Sequence, residues 1–416
     1  MTQASSDSAD SRSFLGVDEA RAAILDGLSP ISGWERVAVR AALGRVLAED
    51  VIAPYNVPAH DNSAMDGYAV RAQDLATAAE TALAIVGTAF AGRPFSGIVG
   101  TGQAVRIMTG ASIPQGADTI VVQEVARREH DRVFIPSGQK KGQNLRRAGE
   151  DLAEGGVALA AGTRCGPAEL GLIASLGIAE VVVRRPLRVA FFSTGDEIAS
   201  IGRPLGPGEV YDSNRYTLFG VLSRLGCELL DMGVVPDRPE ALEAAFRDAA
   251  QTADVVITSG GVSVGEADFI REMMARLGEV AFWKLAIKPG RPMAFGRIGG
   301  AVLFGLPGNP VAVMVTFYQF VHDALLKLMG VSPLPPAERF PARADFSLRK
   351  QPGRTEYLRG RLRRAPDALS VALAGAQGSG VLSSMSEADC FIVLAEECTA
   401  VQPGDTVLVQ PFHGLM

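Results

Sequence analysis

The stretch from Asp254 to Phe269, DVVITSGGVSVGEADF, constrains the fold most. Val255, Val256 and Ile257 form an unbroken apolar, β-branched run. A strand with no polar face must be buried on both sides, as in a parallel sheet covered by helices. Ser259, Gly260, Gly261, Ser263 and Gly265 follow at once. Glycines there let the backbone turn sharply and expose N–H groups that together cradle an anion. Glu266 to Leu277 has helical spacing, so its N-terminus would face the same pocket and favour a phosphate. Asp268 falls in that first helical turn. Its carboxylate either favours the helix start or, beside a phosphate cradle, implies a metal ion or a positioning role.

The same arrangement occurs twice more. Leu187 to Phe192 ends in Ser193-Thr194-Gly195-Asp196-Glu197, and Ala301 to Leu306 ends in Pro307-Gly308-Asn309-Pro310. Between and after these runs the spacing predicts helices over 214–225, 239–252 and 311–329, and strands over 229–235 and 280–288. This alternation predicts a doubly wound α/β domain over residues 186–332. Ligands of such sheets bind outside the carboxyl ends of the strands. The three polar glycine turns would therefore converge on one edge.

Length and composition set the surroundings. With 416 residues, roughly two to four domains are expected. Hydrophobic residues make up 47% and charged residues 21%, as in an ordinary globular protein. The net charge is -6, which argues against a nucleic-acid-binding face. The four cysteines form no C-x-x-C pair and fit no zinc spacing. They read as buried free thiols in a reducing compartment, hence a cytoplasmic protein. No apolar run looks long enough to span a membrane. The start of the chain, MTQASSDSADSR, lacks a signal-peptide core and reads as a disordered tail over 1–13.

Phe14 to Leu28 has a helical apolar face, and Trp34 to Val46 reads as a strand and a short helix. The polar loop from His60 to Ala69 opens a strand at Tyr68 to Val70. Such a loop is either a set of Asx turns or a place where binding groups concentrate. Short strands broken by glycines fill 83–133 and predict a small β-rich unit. Gly142 to Asp151, GQNLRRAGED, reads by itself as a solvated charged loop. Val331 to Pro336 is linker-like. Beyond Phe340 the alternation predicts a small all-β unit, a barrel or a sandwich.

Seven motifs recur in order: NSAMDGYA (62–69), RIMTGASIPQGADTIV (106–121), GQNLRRAGED (142–151), STGDE (193–197), SGGVSVGEADF (259–269), KPGRP (288–292) and GLPGNP (305–310). Together they resemble the molybdopterin molybdenumtransferase family, which is related to the E domain of gephyrin. The resemblance runs from about Phe14 to the C-terminus. It implies a multidomain α/β plus β fold with four domains. An elongated, discontinuous domain would span 14–53 and 151–185, and a β-rich domain 54–150. The α/β domain would bind the pterin, and a C-terminal β-barrel would span 337–416. It also implies a homodimer whose cleft lies between the α/β domain of one subunit and the β-rich domain of the other.

The activity implied is insertion of molybdate into the dithiolene of adenylylated molybdopterin, with release of AMP and a need for magnesium. Glu197, Asp237 and Asp268 match the family carboxylates that would hold the metal. Ser263 matches a group close by. Ligand contacts would come from Thr194, Gly195, Asp196, Ser259, Gly260, Gly261, Gly265, Lys284, Pro307, Gly308 and Asn309. Asp66, Thr109, Arg146 and Asp151 would reach in from the partner. Molybdate, a tetrahedral dianion, needs cations and donors; Lys288, Arg291, Arg359 and Ser379 match the family residues near its site. The chain has Ala376 and Ala312 where family members often carry histidine and serine. The resemblance also implies contact with the adenylyltransferase and with acceptor molybdoenzymes. Other readings are a molybdopterin adenylyltransferase, which is usually a lone α/β domain, a scaffold, or a member that takes tungstate.

Overall fold

The computed structural model describes residues 14–260, 273–365 and 368–412. Its central sheet has six strands. Their spatial order is Glu228–Val235, Arg188–Thr194, Val255–Ser259, Ala301–Leu306, Pro292–Ile298 and Gly278–Lys284. The first four are parallel. Phe191, Val255, Ile257 and Phe304 pack on one side, with Leu218 and Leu222 of the Ser213–Leu225 helix. Ala190, Phe192, Val256 and Leu303 pack on the other, with Leu242 and Phe246 of the Pro239–Thr252 helix. Alternate residues feed opposite cores, which is why the interiors of these strands are apolar until their carboxyl ends, where Ser193, Thr194, Thr258 and Ser259 begin.

The last two strands correct the expected pattern. Pro292–Ile298 and Gly278–Lys284 run antiparallel to their neighbours. The Gly299-Gly300 turn makes a hairpin of Pro292–Ile298 and Ala301–Leu306, with no crossover helix between them. The strand expected over 280–288 is two pieces. Its second piece, Ile287–Lys288, leaves the sheet and pairs in parallel with Thr355–Glu356. Of the helix expected from Glu266, residues 273–277 are described and helical.

The Pro310–Leu328 helix is long and apolar enough to cross a bilayer by length and composition, contrary to the reading of the sequence. Within its most apolar window, 83% is buried inside the protein, so its hydropathy is that of a core helix. One wide, π-type turn interrupts it at Phe317–Val321. The Thr316 hydroxyl donates back to the Ala312 and Val313 carbonyls at its start, a pattern that bends helices.

Trp34–Ala38 pairs with Glu180–Arg184, and Val51–Ile52 with Val157–Leu159. Leu47, Val51, Ile173 and Val183 close one small core between these pairs. The chain thus returns to the same core after a long excursion. That excursion forms a six-stranded sheet ordered Thr119–Val122, Gly67–Val70, Gln103–Ile107, Thr81–Ala89, Arg132–Ile135 and Arg127–Glu129. A Cβ on Gly67 would overlap the Val121 carbonyl oxygen, so only glycine fits there.

The C-terminal strands close into a five-stranded barrel. Thr355–Ala365 pairs with both Ala368–Leu373 and Cys390–Leu394. Phe340–Ala344 and Thr406–Pro411 complete the circuit. The four cysteines are free thiols.

Candidate active site

The carboxyl ends of three adjacent parallel strands open onto one cavity of about 650 Å³. Thr194 and Gly195, Ser259 and Gly260, and Gly308 and Asn309 all border it, so the three turns do converge. Gly260 has φ +95°, and a Cβ there would overlap the Thr194 carbonyl oxygen. The residue must therefore be glycine, both for its backbone and for the close approach of two turns. Its N–H donates to the Leu306 carbonyl at 3.1 Å. Gly195 has φ +146°, and the Glu197 carboxylate lies 2.6 Å from where a Cβ would be.

Two residues that the sequence reading passed over tie the turns together. Asn214 Nδ2 donates to Ser259 Oγ and to the Gly308 carbonyl, each at 2.7 Å. Asp212 caps the Ser213–Leu225 helix, accepting from the Arg215 N–H at 3.1 Å. The same oxygen accepts from Ser193 Oγ at 2.9 Å. The signal available was the Asp-Ser-Asn helix start, a generic N-cap pattern. Nothing local showed that this helix begins at the strand ends.

Three buried polar atoms on this cavity have no partner among the described residues: Thr194 Oγ1, Asp212 Oδ2 and Asn214 Oδ1. Two of them are acceptors only. Such atoms in a native site call for a ligand donor, a cation or water. Glu197 and Asp237 border the same cavity, and the Asp237 N–H donates to Asp196 Oδ1 at 3.4 Å. Among the described residues no group of three histidine, cysteine or acidic side chains could by itself hold a metal. Asp268, Ser263, Gly261 and Gly265 lie outside the described residues.

Three family models match this architecture in order. The MoeA N-terminal region (domain I and II) matches residues 15–177, a probable molybdopterin binding domain 190–327, and the MoeA C-terminal region (domain IV) 341–412. A molybdopterin molybdenumtransferase of Haemophilus influenzae is 45% identical over 405 residues, covering 97% of this chain and 100% of the relative. The chain belongs to the molybdopterin molybdenumtransferase family. A Nostoc molybdopterin molybdenumtransferase is 37% identical, covering 90% of this chain and 88% of its own. The crystal structure of a molybdopterin biosynthesis moeA protein from Pyrococcus horikoshii matches with a TM-score of 0.82 at 28% identity. It covers 96% of this chain and 100% of that one.

The four residues that match family positions near the oxyanion, Lys288, Arg291, Arg359 and Ser379, do not themselves border the strand-end cavity. Ser379 lends its carbonyl to the Val311 N–H at 3.1 Å, and Gly380 borders the cavity. This puts the 375–380 loop at the start of the Pro310–Leu328 helix. Arg359 is fully buried. Its Nε donates to Ser384 Oγ at 3.0 Å, and its Nη2 to the Ala376 and Gly378 carbonyls at 3.2 and 3.1 Å. Its Nη1 has no partner among the described residues. Burial pushes the guanidinium down to about 10, although an arginine at neutral pH stays charged.

Lys288 Nζ lies 3.2 and 3.3 Å from the two carboxylate oxygens of Glu356, whose side chain is 4% exposed. The Arg291 guanidinium sits 4.5 Å from the centre of the Phe14 ring. Lys284 ends its strand half-buried, and its carbonyl accepts from the Leu15 N–H at 3.0 Å. Ala376, at the departure from the family pattern, contributes its carbonyl to Arg359.

Asp66 accepts from both the N–H and the hydroxyl of Thr109, each at 2.7 Å. These bonds hold its carboxyl below the usual range. Arg146 pairs with Asn62 in a two-residue ladder and is exposed, as is Asp151. None of these four borders the strand-end cavity of its own chain.

Proposed function

We propose that this chain inserts molybdate into the dithiolene of adenylylated molybdopterin, releases AMP and uses magnesium to do so. The observation that carries the reading is the strand-end cavity, in a chain that matches a family member over 97% of its length. Its glycine turns suit the ligand's pyrophosphate. The unpartnered acceptors Asp212 Oδ2 and Asn214 Oδ1 suit the N–H groups of a pterin or the water shell of a cation. Thr194, Gly195, Asp196, Ser259, Gly260, Pro307, Gly308 and Asn309, with Gly261, Gly265 and Lys284, are the proposed ligand contacts.

The donor set fits magnesium, which takes hard oxygens. Glu197 and Asp237 offer carboxylates on the cavity, Asp212 a buried oxygen without a partner among the described residues, and Asp268 is the third family carboxylate. When bound, the metal would polarise the pyrophosphate for cleavage. The protein's own groups orient the phosphates on the glycine turns and hold molybdate beside them. Lys288, Ser379, Arg291 and the Nη1 of Arg359, which has no partner among the described residues, supply the donors for that dianion.

The cleft is completed in a homodimer, in which Asp66, Thr109, Arg146 and Asp151 of the partner face the cavity. Two observations support this. These groups lie off the cavity of their own chain. Tyr216, Phe219 and Leu230 are 46%, 51% and 41% exposed, side chains that a second subunit could cover. The protein would work in the cytoplasm, receiving its ligand from an adenylyltransferase and passing the product to acceptor enzymes. Purified protein given adenylylated molybdopterin should release AMP only when molybdate and magnesium are both present. Transfer of AMP from ATP to molybdopterin would instead make it an adenylyltransferase.

A further inference from the structure

A second cavity, of about 170 Å³, lies away from the strand ends. Arg21 of the Val17–Asp26 helix borders it, as do Tyr318, His322 and Asp323 of the buried helix. Residues 335–338 and the barrel's Gln410 and Pro411 close it. None of the described residues assigned above to the reaction borders it.

A relay of amides fixes what this cavity offers. Arg21 Nη2 donates to Gln319 Oε1 at 3.4 Å, and Arg339 Nη2 reaches the same oxygen at 3.5 Å. That end of Gln319 must therefore be its carbonyl. Gln319 Nε2 then donates to Gln410 Oε1 at 3.0 Å. Gln410 is left with its Nε2, a donor only. This atom is buried and has no partner among the described residues. The Tyr318 hydroxyl, in the wide turn of the helix, is likewise buried and without a partner. Both residues are 1% exposed, and both line the cavity. Single wide turns of this kind recur at binding sites.

Two buried donors with nothing to donate to are costly, and an acceptor oxygen would satisfy both. Two arginines behind the relay polarise it toward a negative acceptor. Asp323, 3.6 Å from Arg21, and the bordering Glu338 disfavour more than one negative charge. Pro335, Pro336 and Pro411 offer apolar wall to an organic body. We propose that this cavity binds a small organic monocarboxylate, whose oxygens accept from Gln410 Nε2 and the Tyr318 hydroxyl. This holds whatever reaction the strand-end cavity catalyses.

The test is a fluorine NMR titration of the full chain with trifluoroacetate, paired with a crystal soaked in the same probe. The expected result is a saturable broadening of the fluorine line and density for the probe between Tyr318 and Gln410. Tyr318→Phe and Gln410→Glu should each weaken binding about tenfold. Lys288→Ala should not change it, and sulfate should not displace it. Tyr318→Phe removes a single oxygen, so it decides the matter even if Gln410→Glu fails to fold. Binding that ignores both variants, displacement by sulfate, or a soaked cavity holding only water would each overturn the proposal.

Discussion

Asn214 Nδ2 stands 2.7 Å from Ser259 Oγ, and the same nitrogen lies 2.7 Å from the Gly308 carbonyl. One amide thus joins the start of a helix to two strand ends and sets their spacing. Asn214→Ala should leave Ser259 and the Gly308 carbonyl without this donor. The expected cost is about 1–3 kcal/mol for buried groups left unpaired, read as a lower urea midpoint at unchanged slope. Affinity for adenylylated molybdopterin should fall further than this stability loss explains, because both turns border the cavity proposed to hold the ligand. Equal binding by Asn214→Ala and the parent would remove Asn214 from the site.

The barrel contains a buried ammonium that predicts a purely structural effect. Lys350 is 9% exposed, and its Nζ donates to the carbonyls of Arg354 at 3.0 Å and Ala395 at 2.8 Å. Lys350→Met keeps the stem and removes the donor. It should cost about 1–3 kcal/mol, seen in thermal melting, while the Michaelis constant for molybdate stays unchanged. A shift in that constant would place Lys350 in the oxyanion site.

Asp254 makes stability depend on acid. It immediately precedes the central Val255–Ser259 strand and accepts from Arg185 through two bonds of 2.7 Å. Burial pushes its carboxyl up, but the Arg185 side chain and the Arg188 N–H outweigh this and hold it below its ordinary 3.8. A carboxyl lowered in the fold stabilises at pH values above its unfolded value. That contribution is lost as pH falls through 3.8 toward the folded value. Asp254→Asn should lower stability at neutral pH and flatten its decline between about pH 4 and 2. A variant that still loses stability as steeply as the parent would assign the acid effect elsewhere.

The proposed homodimer can be tested without a structure of the complex. Asp66 and Thr109 hold each other through two bonds of 2.7 Å, so they present one rigid group. Light scattering should give twice the chain mass at micromolar concentration. Mixing Asp66→Ala with Asp268→Ala subunits should restore activity, because one cleft per mixed dimer is then intact. A monomer, or no restoration, would place all the reacting groups within one chain.

The parallel strands were legible because burial on both faces leaves no room for a polar residue, as Val255 to Ile257 and Ala301 to Leu306 show. The convergence of their turns followed from that topology alone. Pro292–Ile298 escaped notice because it opens on proline and holds Gly296, both poor strand signals, and gains its place from the hairpin with Ala301–Leu306. Asp212 and Asn214 were not legible as site residues, since helix caps look alike wherever the helix begins. The pairing of Lys288 with Glu356 was hidden for a similar reason: the partner lies on the barrel, and only the ladder of Ile287–Lys288 with Thr355–Glu356 brings it near.

That pairing makes Lys288 a test of the oxyanion site. Its ammonium neutralises Glu356, which is almost wholly buried, while the lysine side chain itself is 52% exposed. The lysine can therefore reach a ligand without leaving its partner, since an ammonium carries three donors. Lys288→Ala should have two effects. Loss of a charge-assisted bond should weaken molybdate by about 1.5–3 kcal/mol, roughly ten- to a hundredfold. The Glu356 carboxylate, left without its cation, should also lower the melting temperature of the free protein. Lys288→Met should reproduce both losses. Lys288→Met with Glu356→Gln should recover the stability but not the molybdate affinity, because the buried charge is then gone while the donor is still missing. The measurements are thermal melting and molybdate titration on the same three variants. If the double variant recovers both, Lys288 acts on the oxyanion only by neutralising Glu356. If neither single variant changes molybdate binding, the site lies with Arg359, Ser379 and Arg291.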